Sequence, residues 1–228
     1  MIKYLFFDID DTLFDFKRSE KDALSKTLSA LGINPTEETI SLYSRINRSQ
    51  WEALERGEAT REVILFRRYE ILFKEIGIDA DPKQAQKIYE RQLSRTYYYL
   101  PGAEELLGEL YGKYKIYLAS NGTAIVQDGR ISLSGIGKYA EDIFISEKIG
   151  HNKPSPEFFD ACFSRIEGFE KEHAIIIGDS LSSDILGGIG AGIKTCLFNP
   201  HGNAVSSDIK PDFEVRSFSE IPKLLERL

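Results

Sequence analysis

The feature that most limits how this chain can fold is a set of five short, largely apolar runs: Tyr4 to Phe7, Ile116 to Ala119, Ile143 to Ile145, Ala174 to Ile177 and Thr195 to Phe198. Short runs of this kind, rich in β-branched and aromatic residues and bounded by turn formers, read as buried strands. Helix-compatible stretches separate the middle three, an alternation that implies crossover connections and a parallel sheet. Right-handed crossovers bring the carboxyl ends of the strands to one edge. Open parallel sheets build their binding sites there, so the loops after the strands are the place to look.

Between Phe16 and Tyr99 the pattern changes, for helix signals follow one another and no strand-like run appears. Ser19-Glu-Lys-Asp22 has the form of a capping box opening a helix that Gly32 closes; Thr36 precedes Glu37 and Glu38, and Gly57 breaks the next run. A further helix fits Arg61 to Ile76, and Asp81-Pro82 places a cap and a first-turn proline before a fourth. The whole reads as a helical insertion of roughly 80 residues between the first and second strands. A lid hinged at its two crossings would sit over the strand edge and exclude water. Tyr43, Trp51, Phe66, Tyr69 and Phe73 recur on these helices and are best read as the insertion's own core. The sharper alternative is that Trp51 or Tyr43 stacks on a nucleobase. Tyr97, Tyr98 and Tyr99 are placed on the returning hinge.

The first strand runs out into Asp8-Ile-Asp-Asp-Thr-Leu13. In an extended backbone residues two apart point to the same side, so Asp8 and Asp10 deliver two carboxylates to one spot. Two unit charges about 4 Å apart repel by about 4 kcal/mol at an effective dielectric of 20, so a cation belongs between them. Hard oxygen ligands with open water positions suit Mg²⁺. At the second strand end Ser120-Asn121-Gly122 offers a hydroxyl and backbone amides leading into a helix, a phosphate-binding arrangement, although by itself an ordinary cap or turn explains it equally well. After the third run comes Lys153, just before the helix start of Pro154-Ser-Pro156; it is preferred to Lys148 because that helix start fixes its place. The fourth ends in Gly178-Asp179-Ser180, with Asp184 in the next first turn, and both acids belong with the ion proposed for Asp8. Asp184 also suits the helix dipole.

Each signal alone is modest. Their arrival at four strand ends in register is what argues for chemistry.

With these motifs in hand, the chain resembles the haloacid dehalogenase superfamily over nearly its whole length, in its aspartate-dependent phosphatase division. Asp8-Ile-Asp-Asp-Thr12, Ser120-Asn121, Lys153 and Gly178-Asp-Ser-Leu-Ser-Ser-Asp184 stand in the family's order. The last run, with Ala191-Gly192, Thr195 and Asn199 beyond it, is more particularly similar to the nucleoside 5'-monophosphatase branch acting on pyrimidine and damaged nucleotides. Asp11 departs from the glycine of most of the superfamily but suits that branch, and Phe16 stands where a small residue is common.

The resemblance implies an α/β fold: a Rossmann-like parallel-sheet core of residues 1–15 and 100–228, carrying an all-helical cap of residues 16–99. It implies a Mg²⁺-dependent phosphomonoesterase. Asp8 would attack phosphorus to form an aspartyl-phosphate, and Asp10 would protonate the leaving alkoxide and later deprotonate water. Thr12, Ser120 and the amides around Asn121 would hold the phosphoryl oxygens. Lys153 would neutralise phosphate and nucleophile. Asp8, the carbonyl of Asp10, Asp179 and Asp184 would hold the metal. A dehalogenase needs no acid for a halide leaving group, so Asp10 favours phosphoryl transfer. A sugar phosphomutase keeps both aspartates and is the competing reading, beside a phosphatase of small sugar or acid phosphates. A regulatory protein without turnover is the other class to test.

Composition narrows partners. With 228 residues and a net charge of -7, and with no basic stripe, the chain is not expected to bind nucleic-acid polymers; a small phosphorylated metabolite, in particular a nucleoside monophosphate, is the expected partner. Cys162 and Cys196 read as buried thiols of a reducing compartment. The absence of a membrane-length apolar run or signal pattern leads to an expected cytoplasmic location. Gly187-Gly-Ile-Gly-Ala-Gly192 lacks dinucleotide-loop spacing and reads as close packing and a helix stop.

Overall fold

The five apolar runs form strands, and a sixth joins them in the structure, a computed structural model that describes residues 1–202 and 208–228. β1 (Tyr4–Phe7) is followed by α1 (Phe16–Ala30), α2 (Glu37–Glu55), α3 (Arg61–Glu75), α4 (Pro82–Leu93) and α5 (Ala103–Leu110), then by β2 (Lys115–Ser120). Next come α6 (Ala124–Ser134), β3 (Asp142–Ile145), α7 (Ser146–Ile149), α8 (Pro156–Ser164) and β4 (Ala174–Gly178). The chain ends with α9 (Leu186–Ala191), β5 (Lys194–Phe198), β6 (Phe213–Val215) and α10 (Glu220–Leu225).

All strands pair in parallel, in the order β3-β2-β1-β4-β5-β6. Chain order therefore reverses at β1, which has β2 on one side and β4 on the other, and ligands bind at such switch points. Tyr4, Phe6, Tyr117, Ala119, Phe144, Ala174 and Ile176 share one face and pack with Phe158, Phe159, Cys162 and Phe163 of α8. Their neighbours Leu5, Phe7, Ile175 and Ile177 are equally buried. Burial on both faces explains why these strands read as unbroken apolar runs. The glycine run does what its sequence suggests: a Cβ on Gly188 would lie 2.6 Å from Ile176 and 2.7 Å from Thr195, and Gly192 ends α9 at φ +75°. β6 has no sequence signal, being three residues long; it is held to β5 partly by Thr195, whose N–H and Oγ1 both donate to Asp212 Oδ2 at 2.8 and 2.9 Å.

The chain divides into two compact units: Met1–Asp15 with Tyr99–Ala124 and Ser134–Leu228, built on the sheet, and Phe16–Tyr98 with Ile125–Leu133, wholly helical. In the helical unit the caps fall where the residues call for them, at Thr36, Thr60 and Asp81, each accepting a backbone N–H of the first turn. The expected capping box at Ser19 to Asp22 is not one. α1 begins earlier, at Phe16, and Ser19 and Glu20 are buried inside it. The reason is a polar thread through the unit: Asn47 donates to Glu20 Oε1 at 2.7 Å, and Arg68 donates to Asn47 Oδ1 at 2.7 Å and to Gln86 Oε1 at 2.5 Å. Rings of Tyr43, Tyr69 and Tyr89 stand 5.0–5.8 Å from the guanidinium carbon. Hydrogen bonds and ring faces thus compensate a buried charge.

Tyr43 has no exposed surface and packs against Tyr69 and Tyr89, so stacking by Tyr43 on a nucleobase is ruled out. Trp51 is half-buried, with the Arg61 guanidinium 5.6 Å from its ring. Arg18 lies 3.7 Å over the ring of Tyr98. Cys162 and Cys196 are free and buried. Among the described residues no helix is long and apolar enough to cross a membrane.

Candidate active site

β1 still pairs through the Asp8 N–H, which donates to Ile177 O at 3.0 Å. The chain then turns sharply: Leu13 and Phe14 N–H both return to Ile9 O, at 2.9 and 2.8 Å. Asp11 sits in this turn at φ +58°. That left-handed conformation favours glycine, and aspartate is among the residues that tolerate it, which accounts for the departure noted in the sequence. Asp10, two residues beyond Asp8, is half-buried and bridges Phe14.

Lys153 is the centre of the charges. Its Nζ donates to Asp8 Oδ1 at 2.6 Å, Asp184 Oδ1 at 2.7 Å and Ala119 O at 2.6 Å, and its side chain is 1% exposed. An ammonium has three protons, so the three acceptors engage them all and what Lys153 offers beyond them is its charge. Lys148, the rejected competitor, is exposed on α7.

The side chain of Asn121 is used within the protein, which leaves the main-chain amides around it as the expected phosphate contact. Its Oδ1 accepts Lys153 N–H at 2.8 Å, and its Nδ2 donates to Lys153 O at 2.9 Å. The side chain thus grips the lysine's own peptide group, and any contact to phosphate falls to the main chain. Ser120 is buried, its Oγ accepting Gly122 N–H at 3.0 Å. Thr12, also buried, accepts Asp179 N–H at 3.0 Å, which ties the first strand end to the fourth.

Asp8, Asp179 and Asp184 each bring a carboxylate oxygen within 4.8 Å of the others. Ser180 N–H donates to Asp184 Oδ2 at 3.1 Å. Burial pushes Asp8 up to about 7, Lys153 opposes that, and Asp184 and Asp10 add to it. The atoms crowded about Asp179, and then the charges of Asp8 and Asp184, raise its pKa well above the usual carboxylate range. Burial alone would lower Lys153, but Asp184 and Asp8 hold its ammonium above the usual range. Three clustered carboxylates, two of them, Asp8 and Asp179, held against ionisation, are all hard oxygen donors and fit a small divalent cation such as Mg²⁺.

The structure therefore brings Asp8, Lys153, Asp179 and Asp184 into one cluster, with Asp10, Thr12, Ser120 and Asn121 on the loops that build it. Gly178 is a site residue the sequence reading passed over. A Cβ there would stand 2.2 Å from Asp184 Oδ2. Its only sequence signal is a glycine immediately before the acid that closes a strand.

This fold and site define a hydrolase. Residues 5–198 match the haloacid dehalogenase-like hydrolase family, and the chain belongs to it. YfnB of Bacillus subtilis is 37% identical over 221 residues, covering 97% of this chain and 94% of its own. Its crystal structure, bound to magnesium, matches with a TM-score of 0.94 at 36% identity and covers 98% of each chain. The pyrimidine 5'-nucleotidase PynA of Streptococcus pneumoniae is 34% identical over 226 residues, 99% of this chain and 95% of that one. The pyrimidine 5'-nucleotidase YjjG of Escherichia coli is 29% identical over 222 residues, 97% of each.

Proposed function

We propose that the protein is a Mg²⁺-dependent phosphatase of nucleoside 5'-monophosphates, with Asp8 as nucleophile. The observation that carries this is the Asp8 carboxylate at the switch-point strand end, anchored by Lys153 at 2.6 Å and crowded by Asp179 and Asp184. The nucleotidase relatives PynA and YjjG support the substrate class. Magnesium bound in YfnB supports the ion, and the interdomain movement described for that protein supports reading residues 16–99 as a cap that opens and closes.

Asp8, the carbonyl of Asp10 and Asp179 would hold the ion, with Asp184 bound directly or through water. Bound there, Mg²⁺ supplies positive charge against the phosphate dianion. Lys153 fixes the carboxylate of Asp8 and screens the approach of substrate. Asp8 displaces the nucleoside from phosphorus; Asp10 gives its proton to the departing 5'-oxygen, then takes one from the water that hydrolyses the aspartyl-phosphate. Thr12 and Ser120, with main-chain amides near Asn121, orient the transferring oxygens.

The test is phosphate release from a panel of nucleoside 5'-monophosphates, sugar phosphates and small phosphorylated acids, with Mg²⁺ and no bisphosphate activator. Pyrimidine nucleotides should lead the panel. Turnover that appears only with a sugar bisphosphate would make the protein a mutase and refute the proposal.

A further inference from the structure

By chain order α6 is the crossover between β2 and β3, yet residues 125–133 of it are packed into the helical unit. Val126 is part of that unit's apolar core, with Leu24, Tyr89 and Leu93. Gly129 lies so close to the end of α4 that a Cβ there would stand 2.4 Å from Ser94 O. Arg130, one turn beyond Val126, has no exposed surface and is among the largest fully buried side chains.

Its contacts are specific. Nε donates to Thr96 O at 3.2 Å, Nη1 donates to Gln127 Oε1 at 3.2 Å, and the guanidinium carbon stands 5.8 Å from the centroid of Phe16. Phe16 opens the segment by which the chain enters the helical unit, and Thr96 lies on the segment by which it leaves. One buried cation thus grips both crossings. It sits on the helix that directly continues Ser120-Asn121-Gly122-Thr123. At the two ends of α6, Ala124 N–H donates to Glu147 Oε2 at 2.6 Å and Gly135 turns the chain at φ +68°. The large residue at position 16, where the resembling family commonly has a small one, now has a use: it supplies the ring face for Arg130.

We infer that Arg130 is a positioning residue that ties α6 to both crossings, so that the state of the helical unit sets the placement of the phosphate loop Ser120–Gly122. The inference rests on the phosphatase reading and adds a route by which cap closure reaches the reacting centre. Burying a guanidinium without such a duty is expensive, and an apolar residue would fill the same space.

The test compares wild type with Arg130→Met and Arg130→Lys. It measures kcat and KM for a nucleoside monophosphate and for 4-nitrophenyl phosphate, well below each protein's Tm, together with amide hydrogen exchange over residues 120–125. For Arg130→Met we expect kcat to fall by roughly tenfold or more with both substrates, the size of effect that loop misplacement brings. KM should change less than kcat, and exchange at the loop should quicken. Lysine, which keeps a cation able to reach Thr96 O, should recover most of the loss. Wild-type kcat and loop exchange in a folded Arg130→Met protein would overturn the inference, even with a lowered Tm. Should that variant not fold, Gly129→Ala, which wedges α6 from Ser94 without removing the arginine, must show the same quickened loop exchange or the inference fails. A wild type that hydrolyses neither substrate refutes the phosphatase reading instead, and the exchange data still decide the coupling.

Discussion

Replacing Gly178 by alanine should disable the site by way of Asp184. The glycine has an ordinary negative-φ strand conformation, so alanine brings no backbone strain. What it brings is a methyl group 2.2 Å from Asp184 Oδ2 and 2.3 Å from Cγ. Contacts to a Cβ essentially never fall below 3.0 Å and are ordinary only beyond 3.4 Å, so the carboxylate must retreat by about 0.8 to 1.2 Å. Its hydrogen bonds are 2.7 Å from Lys153 Nζ and 3.1 Å from Ser180 N; a shift of that size takes at least one of them out of bonding range. A displacement of about 1 Å in a positioned group costs on the order of 100-fold in rate, equivalent to about 2.7 kcal/mol of transition-state stabilisation. The assay is kcat/KM for a good nucleotide substrate at saturating Mg²⁺, paired with a Mg²⁺ titration and urea unfolding. A mutant cycle supplies the control. Asp184→Gly removes the three atoms nearest the new methyl, so the unfolding penalty of Gly178→Ala should shrink markedly in that background. A Gly178→Ala enzyme with unaltered kcat/KM and Mg²⁺ affinity would refute the steric argument, as would an undiminished penalty beside Asp184→Gly.

Three other outcomes are expected. Asp8→Asn should release no phosphate while remaining folded, because an amide cannot attack phosphorus; turnover by this variant would remove Asp8 as nucleophile. The metal-free protein should lose stability as pH rises from about 4 towards 7. In that window folded Asp8, raised to about 7, keeps a proton that the unfolded chain has released. The rise in Tm on adding Mg²⁺ in place of chelator should therefore be larger at pH 7.5 than at pH 5, and equal increments would contradict the shift. Gly188→Ala, pressed on Ile176 and Thr195, should cost about 1–3 kcal/mol by overpacking while kcat at 25 °C stays that of wild type; a large loss of kcat would mean that α9 does more than pack.

Much of this was legible in the sequence because it follows from periodicity and chain order. Strands buried on both faces announce themselves as apolar runs, and parallel pairing forces Asp8, Ser120, Lys153 and Asp179 toward one edge. What escaped depends on contacts far apart in the chain. β6 is too short for a pattern and is held by Asp212 reaching Thr195. The start of α1 was misread because Ser19 and Glu20 look like a cap until Asn47 is brought beside Glu20. The side chain of Asn121 had no sequence-level role, since nothing local shows that Lys153 offers its peptide group 32 residues away. The place of α6 was hidden for the same reason. Its position between two strands assigns it to the sheet, and only contacts such as those of Val126, Gly129 and Arg130 show which unit it serves.

The charges at the strand edge explain why these features belong together. Asp8, Asp179 and Asp184 against Lys153 leave a surplus of two negative charges, and Asp10 adds another nearby. One divalent ion cancels the surplus of the inner group, whereas a monovalent ion leaves it anionic and repels a phosphate dianion. Lys153 cannot do this work alone, since its three protons are already placed on Asp8, Asp184 and Ala119 O. On the proposed function, phosphate would approach only with the ion in place, and the burial and neighbouring carboxylates that raise the pKa of Asp8 would favour binding of that ion. Asp184→Asn, which leaves the buried ammonium of Lys153 with one carboxylate fewer, should destabilise the metal-free fold and weaken Mg²⁺ binding. A variant with wild-type stability and Mg²⁺ affinity would show that Asp184 neither holds Lys153 nor serves the ion.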